Sequence, residues 1–121
     1  VILVESNGKK AAFLQAVIRA TGAPARVIHQ RIEQAMPSLP QPDVVTARAL
    51  APLRQLIDWC APLLKNGAIG LFPKGRDLDK EVADAARCWE MTMEIIPSLV
   101  ARDSSILKLL RVQPTAEGSR R

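Results

Sequence analysis

An acid closes the apolar run Val1-Ile2-Leu3-Val4-Glu5, and Ser6-Asn7-Gly8-Lys9-Lys10 follows at once. A carboxylate at the carboxyl end of a buried strand is where nucleotide-binding α/β folds grip ribose hydroxyls. The helix opened by Asn7-Gly8-Lys9-Lys10 would aim backbone N–H groups at an anion. Lysines in a first turn oppose the helix macrodipole, so Lys9 and Lys10 side by side point to an external anion. The plainer alternatives are a solvated strand-end acid and a solvated first turn.

Other charged residues stand at comparable places. In Arg31-Ile32-Glu33, the acid could bond an adenine amino group while Ile32 packs on the base. Arg48 lies just beyond the apolar run 43–47, on the side where such folds bind ligands. Lys74-Gly75-Arg76 leaves a further apolar run, and Gly75 would permit close approach of a ligand. Arg102-Asp103 falls between the last two apolar runs. Each of these could be ordinary surface charge. Parallel strands would gather their ends on one edge, so the cations are expected to converge there. His29 has no partner at triad spacing and reads as structural, and no metal-ligand cluster is expected.

The elements that must position these residues alternate in type. Strands are expected over 1–5, 25–30, 43–47 and 68–72, and helices over 8–20, 50–64 and 77–89. The first helix carries Ala12, Phe13, Ala16, Val17 and Ala20 at helical spacing, with Ser6 or Asn7 as cap and Gly22 as stop. The second has a stripe of Leu50, Leu53, Leu56, Ile57, Cys60, Leu63 and Leu64, with Pro52 in its first turn. The third would turn Leu78, Val82, Ala85, Ala86 and Trp89 inward. Trp59 and Trp89 both read as packing residues on helices. Residues 36–42 form a loop. Strands over 91–96 and 105–112 have no helix between them and should pair antiparallel. The order predicts an α/β sandwich with a mainly parallel sheet over residues 1–112 and a frayed, polar, basic tail over 113–121.

Composition narrows the partners. Seventeen Lys and Arg against twelve Asp and Glu leave a net charge of +5, which favours a polyanion, nucleic acid first. Aromatic residues make up only 3%, so a base-stacking platform is not expected. Cys60 and Cys88 are far apart and read as buried thiols of a reducing, cytoplasmic compartment. No apolar run approaches the roughly 18 residues that suggest a membrane span.

Taken in order, these segments resemble a known family. Leu3-Val4-Glu5-Ser6-Asn7-Gly8-Lys9-Lys10-Ala11-Ala12-Phe13-Leu14 is similar to the stretch after motif I in the RsmG family, also called glucose-inhibited division protein B. Arg31-Ile32-Glu33, Asp43-Val44-Val45-Thr46-Ala47-Arg48-Ala49-Leu50, Pro62-Leu63-Leu64-Lys65-Asn66-Gly67 and Phe72-Pro73-Lys74-Gly75 follow in the family's order. The resemblance covers nearly all of residues 1–112.

It implies a Rossmann-like class I S-adenosylmethionine-dependent methyltransferase fold. It also implies transfer of a methyl group to N7 of a guanine in small-subunit (16S) ribosomal RNA. By position, Glu5 would hold the cofactor ribose, Ile32 and Glu33 would line the adenine pocket, and Arg48 would lie beside cofactor and target base. Lys9, Arg31, Lys74 and Arg102 resemble the family's basic residues for RNA or cofactor contact, and Lys10 is added on charge alone. Guanine N7 carries an available lone pair, so no general base and hence no catalytic acid or base residue is expected. The intact protein is expected to be a cytoplasmic monomer acting on the small ribosomal subunit, without metal or membrane.

One departure is large. The family's N-terminal helices, first strand and glycine-rich motif I have no counterpart in the sequence. In the family fold that strand lies between the strands over 1–5 and 43–47, so unpaired sheet edges are expected, and this chain alone is expected to bind cofactor poorly and to be inactive. Two alternatives stand beside this reading. One is a class I methyltransferase with a small-molecule or protein acceptor, and the other is a non-catalytic RNA-binding remnant of the same fold.

Overall fold

The structure, a computed structural model, describes residues 1–48 and 51–120. It divides into two compact units, Val1–Pro40 and Gln41–Arg121. Among the described residues, no helix is long and apolar enough to cross a membrane.

The first unit runs β1 (Ile2–Val4), α1 (Gly8–Thr21), β2 (Arg26–Ile28) and α2 (Ile32–Ala35), then a 3-10 turn over Met36–Ser38. β1 and β2 pair in parallel, with Ile2 opposite Arg26 and Val4 opposite Ile28. α1 begins where Asn7, in extended conformation, accepts the N–H of Lys10 on its side-chain oxygen at 3.0 Å. It stops at Gly22, whose φ of 69° is left-handed and whose N–H donates to Ile18 O.

The face that α1 buries differs from the expected one. Ala11 is buried and Leu14 and Ile18 half-buried, whereas Phe13 is 67% exposed and Val17 is exposed as well. The helix carries two apolar stripes, and only one can pack on β2. Among the described residues of this unit, Ala11 and Ala35 alone are fully buried. A two-stranded sheet with so little core is marginal by itself. Amide hydrogens of β1 and β2 are therefore expected to exchange roughly 100-fold or more faster than those of the second unit's central strands. Equal protection by hydrogen-exchange mass spectrometry would contradict this.

The second unit carries most of the buried side chains. It runs β3 (Val44–Thr46), α3 (Leu53–Lys65), β4 (Ile69–Lys74), α4 (Leu78–Ala86), β5 (Trp89–Pro97), β6 (Ser105–Pro114) and α5 (Ala116–Ser119). The strand order is β3-β4-β6-β5. β3 and β4 are parallel, and β6 is antiparallel to both β4 and β5, so the final pair forms as expected. β1 and β3 each have a single strand neighbour among the described residues, in keeping with the expected unpaired edges.

α3 buries Leu53, Leu56, Ile57, Cys60, Leu63 and Leu64, the predicted stripe, together with Ala61. Leu50, which was expected to begin the stripe, lies outside the described residues. Phe72 of β4 and Leu107 and Leu109 of β6 are fully buried in the same core.

Burial pushes the Cys60 thiol up to about 11 from its ordinary value of 9.0. The unfolded chain therefore releases this proton first. The contribution is intact below pH 9 and is lost as pH rises from 9 towards 11, by at most about 3 kcal/mol. Denaturant midpoints should fall over that window in the wild type and less in Cys60→Ala. A parallel fall in both proteins would assign the pH effect to other groups.

Three further expectations are corrected. α4 ends at Ala86, where Arg87 N–H donates to Asp84 O and Cys88 N–H to Ala85 O, so the chain turns before Trp89. Trp89 instead opens β5, donates its indole N–H to Asp58 Oδ1 at 2.9 Å, and lies under Lys65 Nζ, 5.5 Å from the ring centroid. Within α4, Leu78 and Ala85 are buried, Val82 is half-buried and Ala86 is exposed. Nor is 113–120 frayed. β6 continues to Pro114, and Thr115 caps α5 while its N–H donates to Cys88 O and its hydroxyl to Arg87 O. Gly118 is packed so closely that a Cβ there would lie 2.0 Å from Cys88 O.

Candidate functional site

In the first unit, the parallel pairing of β1 with β2 sets Glu5 and the residues after Ile28 at one sheet edge. Glu5 is half-buried, and its N–H donates to Ile28 O at 3.0 Å. One carboxylate oxygen, Oε2, accepts the N–H of Asn7 at 3.2 Å. That bond bends the side chain over the entry to α1 and leaves the other oxygen available. His29 Nε2 donates to Ser6 O at 3.1 Å, tying the end of β2 to the same turn. The histidine thus has a structural role, as the sequence suggested.

Beyond β2, Ile32 is half-buried and opens α2. Arg31 Nε and Glu33 Oε1 are paired at 3.1 Å, both well exposed. Sequence reasoning assigned these two side chains to different ligands and did not foresee that they pair. An exposed pair of this kind holds by well under about 1 kcal/mol and is easily exchanged. Lys9 and Lys10 are exposed in the first turn of α1, and neither ammonium has a partner among the described residues.

In the second unit, the ends of β3 and β4 and the loop from β5 to β6 share one sheet edge. The register fixes this, with Thr46 opposite Leu71 and Ser105 opposite both Lys74 and Pro97. Arg48 and Arg102 are exposed there, without partners among the described residues. Ala49, next to Arg48, lies outside the described residues.

Lys74 is placed otherwise than an RNA-facing cation would be. Its side chain is 8% exposed, and its ammonium donates to Glu81 Oε1 at 2.9 Å and to Ala51 O at 3.1 Å. The same Glu81 oxygen accepts the N–H of Leu53, at the start of α3, at 2.9 Å. One part-buried ion pair thus joins the end of β4, the first turns of α4 and the segment leading into α3. Lys74 holds that junction and leaves the set of free cations. Sequence reasoning also missed Glu81. Its only signal was an acid in a helix's first turn, which the macrodipole explains without any partner.

The class of fold follows from this layout. Parallel strands feed helices, ligand-type residues collect at the strand ends, and an antiparallel pair closes the sheet. Solved structures with the same arrangement include an rRNA methylase from Streptococcus thermophilus, with a TM-score of 0.63 and 10% identity over 93% of this chain and 74% of that one. A precorrin-6y C5,15-methyltransferase from Geobacter metallireducens gives 0.62 and 13% identity over 91% of this chain and 66% of that one. The fold is therefore that of the Rossmann-like class I S-adenosylmethionine-dependent methyltransferases.

Residues 1–107 match the GidB family model, rRNA small subunit methyltransferase G, and the chain belongs to that family. It is 51% identical over 107 residues to ribosomal RNA small subunit methyltransferase G of Methylobacterium sp. (strain 4-46), covering 88% of this chain and 50% of that protein. Its identity to the protein of the same name from Rhodospirillum centenum is 46% over 112 residues, covering 93% and 51%. The chain thus spans about half the length of the curated relatives it matches.

Proposed function

We propose that residues 1–121 form part of an enzyme that transfers a methyl group from S-adenosylmethionine to N7 of a guanine in small-subunit (16S) ribosomal RNA. The observation that carries this reading is the Glu5 carboxylate at the shared end of β1 and β2, half-buried and with one oxygen committed to Asn7. The uncommitted oxygen suits a ribose hydroxyl. Ile32 offers an apolar surface for adenine. Glu33 can accept the adenine amino group by giving up its exposed pair with Arg31, which frees Arg31 for a phosphate.

The residues present therefore fit the nucleoside end of the cofactor. They do not provide for its methionine end, since no Gly-x-Gly run follows any strand. S-adenosylmethionine supplies an electrophilic sulfonium methyl, and guanine N7 presents its lone pair in the plane of the base. No proton has to be removed, so the task of the chain is proximity and orientation. By the family resemblance Arg48 would help align cofactor and target base, and Lys9, Lys10, Arg31 and Arg102 would contact the RNA backbone. The intact enzyme would work in the cytoplasm as a monomer on the small ribosomal subunit.

A test is calorimetric titration with S-adenosylmethionine of a polypeptide joining the amino-terminal half of the Methylobacterium relative to residues 1–121. Glu5→Ala is expected to weaken binding about 100-fold, the effect of losing charge-assisted hydrogen bonds worth about 3 kcal/mol. Unchanged affinity would remove Glu5 from the site.

A further inference from the structure

We propose that the tip of the β5–β6 hairpin is an apolar wedge for RNA, and that Leu99 and Val100 pack against an unstacked nucleobase seated in the groove beside them. The proposal rests on RNA being the acceptor.

The groove lies wholly within the second unit and has a volume of about 1080 Å³. That is the upper end of the roughly 300–1,000 Å³ typical of small-molecule pockets, enough for a nucleotide and part of its neighbour. Pro52, Pro73, Gly75, Ile96, Leu99 and Val100 are among the residues that line it. The Lys74–Glu81 pair within it cancels its own charge. Arg48 also lines the groove and keeps its charge free among the described residues. The surface offered is apolar, with a cation beside it, which suits a base face and its phosphate.

The tip is built to hold its shape. Ser98 Oγ accepts the N–H groups of Val100 and Ala101 at 3.2 and 3.3 Å, and Ser98 N–H donates to Ser104 O at 2.9 Å. Arg76 and Asp103, both exposed and paired at 3.2 Å, link the loop only weakly to the turn after β4. The loop bonds these polar groups internally yet turns Leu99 fully outward and leaves Val100 96% exposed. Apolar side chains placed this way can pack on the face of a base that has left the stack, as in enzymes that act on extruded bases. Charge favours RNA over a protein partner. Arg76 pairs with Asp103 and Lys74 with Glu81, so Arg48 and Arg102 outweigh Asp77, which also lines the groove, and leave the rim net cationic.

The test is a set of fluorescence-anisotropy titrations of the joined polypeptide described above with single-stranded and duplex fragments of small-subunit ribosomal RNA over a range of salt. L99S/V100S should fold as the wild type does, judged by circular dichroism and melting, because both side chains face water. It is expected to bind single-stranded RNA about ten-fold more weakly at every salt concentration, as loss of apolar contact implies. Its salt slope should stay unchanged, and its duplex affinity should be unaltered. Arg102→Ala should instead lower the slope by about one phosphate contact.

Wild-type affinity in L99S/V100S, or an equal loss on duplex and single strand, would overturn the wedge and leave the methyltransferase reading standing. A variant that binds naked RNA normally but fails on small ribosomal subunits would also overturn it, by assigning the tip to a protein. A wild-type joined polypeptide that binds no RNA would bring down the acceptor reading together with the wedge.

Discussion

Titrated with S-adenosylmethionine, residues 1–121 by themselves should show no saturable binding at micromolar ligand. Glu5, Ile32 and Glu33 address the ribose and adenine, but nothing in the sequence supplies a glycine-rich turn for the methionine end. The first unit has only Ala11 and Ala35 fully buried among its described residues, so ordering it around a ligand draws on the same interactions that would bind the ligand. The loss relative to a complete site should be at least about 1,000-fold, since each missing 1.4 kcal/mol is ten-fold and several backbone hydrogen bonds are absent. Micromolar affinity in the isolated chain would refute the claim that half the site is missing.

Lys74→Met should be among the most destabilising single changes in the second unit. The substitution fills similar space but leaves Glu81 largely buried, with Leu53 N–H as its remaining partner. Removing one member of a fully buried ion pair costs about 3–5 kcal/mol, chiefly because the other charge is left uncompensated, and this part-buried pair should fall at about the lower bound. For a domain of this size the melting temperature should fall by more than about 10 °C. Lys74→Met with Glu81→Gln should recover much of the loss, because neither charge is then stranded and a glutamine oxygen can still accept from Leu53. If the double variant is as unstable as Lys74→Met, the pair is not what holds this junction. If Lys74→Met melts like the wild type, the ammonium is not committed there and returns to the RNA-facing set.

Lys74 also shows where sequence reading stops. A cation directly after an apolar strand looks like a ligand contact, and Glu81 lies seven residues further on, across a turn. Only the return of α4 over the end of β4 brings them to 2.9 Å. Pairing at that range depends on how a loop closes, which spacing does not encode. The same limit applies to Arg31 and Glu33. Their separation of two residues permits a pair but does not impose one.

What spacing does encode was readable. The α3 stripe recurs at 3.6-residue intervals, is bounded by Pro52 and Asn66-Gly67, and is buried as predicted apart from Leu50 outside the described residues. The antiparallel final pair follows from the lack of a helix between two apolar runs. α1 failed by ambiguity, since Ala11/Leu14/Ile18 and Phe13/Val17 are both legitimate helical faces. Packing on β2 chooses between them. Trp89 was misplaced because helical periodicity continues through Ala85 and Ala86, whereas the backbone turns at Arg87 and Cys88. The indole then finds Asp58, 31 positions away. The ordered C-terminus was illegible for a similar reason. Thr115 is held by the carbonyls of Arg87 and Cys88 and Gly118 packs against Cys88, partners that only the folded chain brings near.

On the proposed function, these residues serve methyl transfer to small-subunit ribosomal RNA. The most direct test gives the joined polypeptide described above methyl-labelled S-adenosylmethionine, with small ribosomal subunits, naked 16S RNA and free guanosine as separate acceptors. Nucleosides from the products are then separated and weighed. The account predicts label in the ribosomal RNA as 7-methylguanosine, little in free guanosine, and loss of both RNA label and cofactor binding in Glu5→Ala. RNA that is bound but never labelled would contradict it in favour of a non-catalytic remnant. Label on guanosine as readily as on RNA would contradict it in favour of a small-molecule methyltransferase.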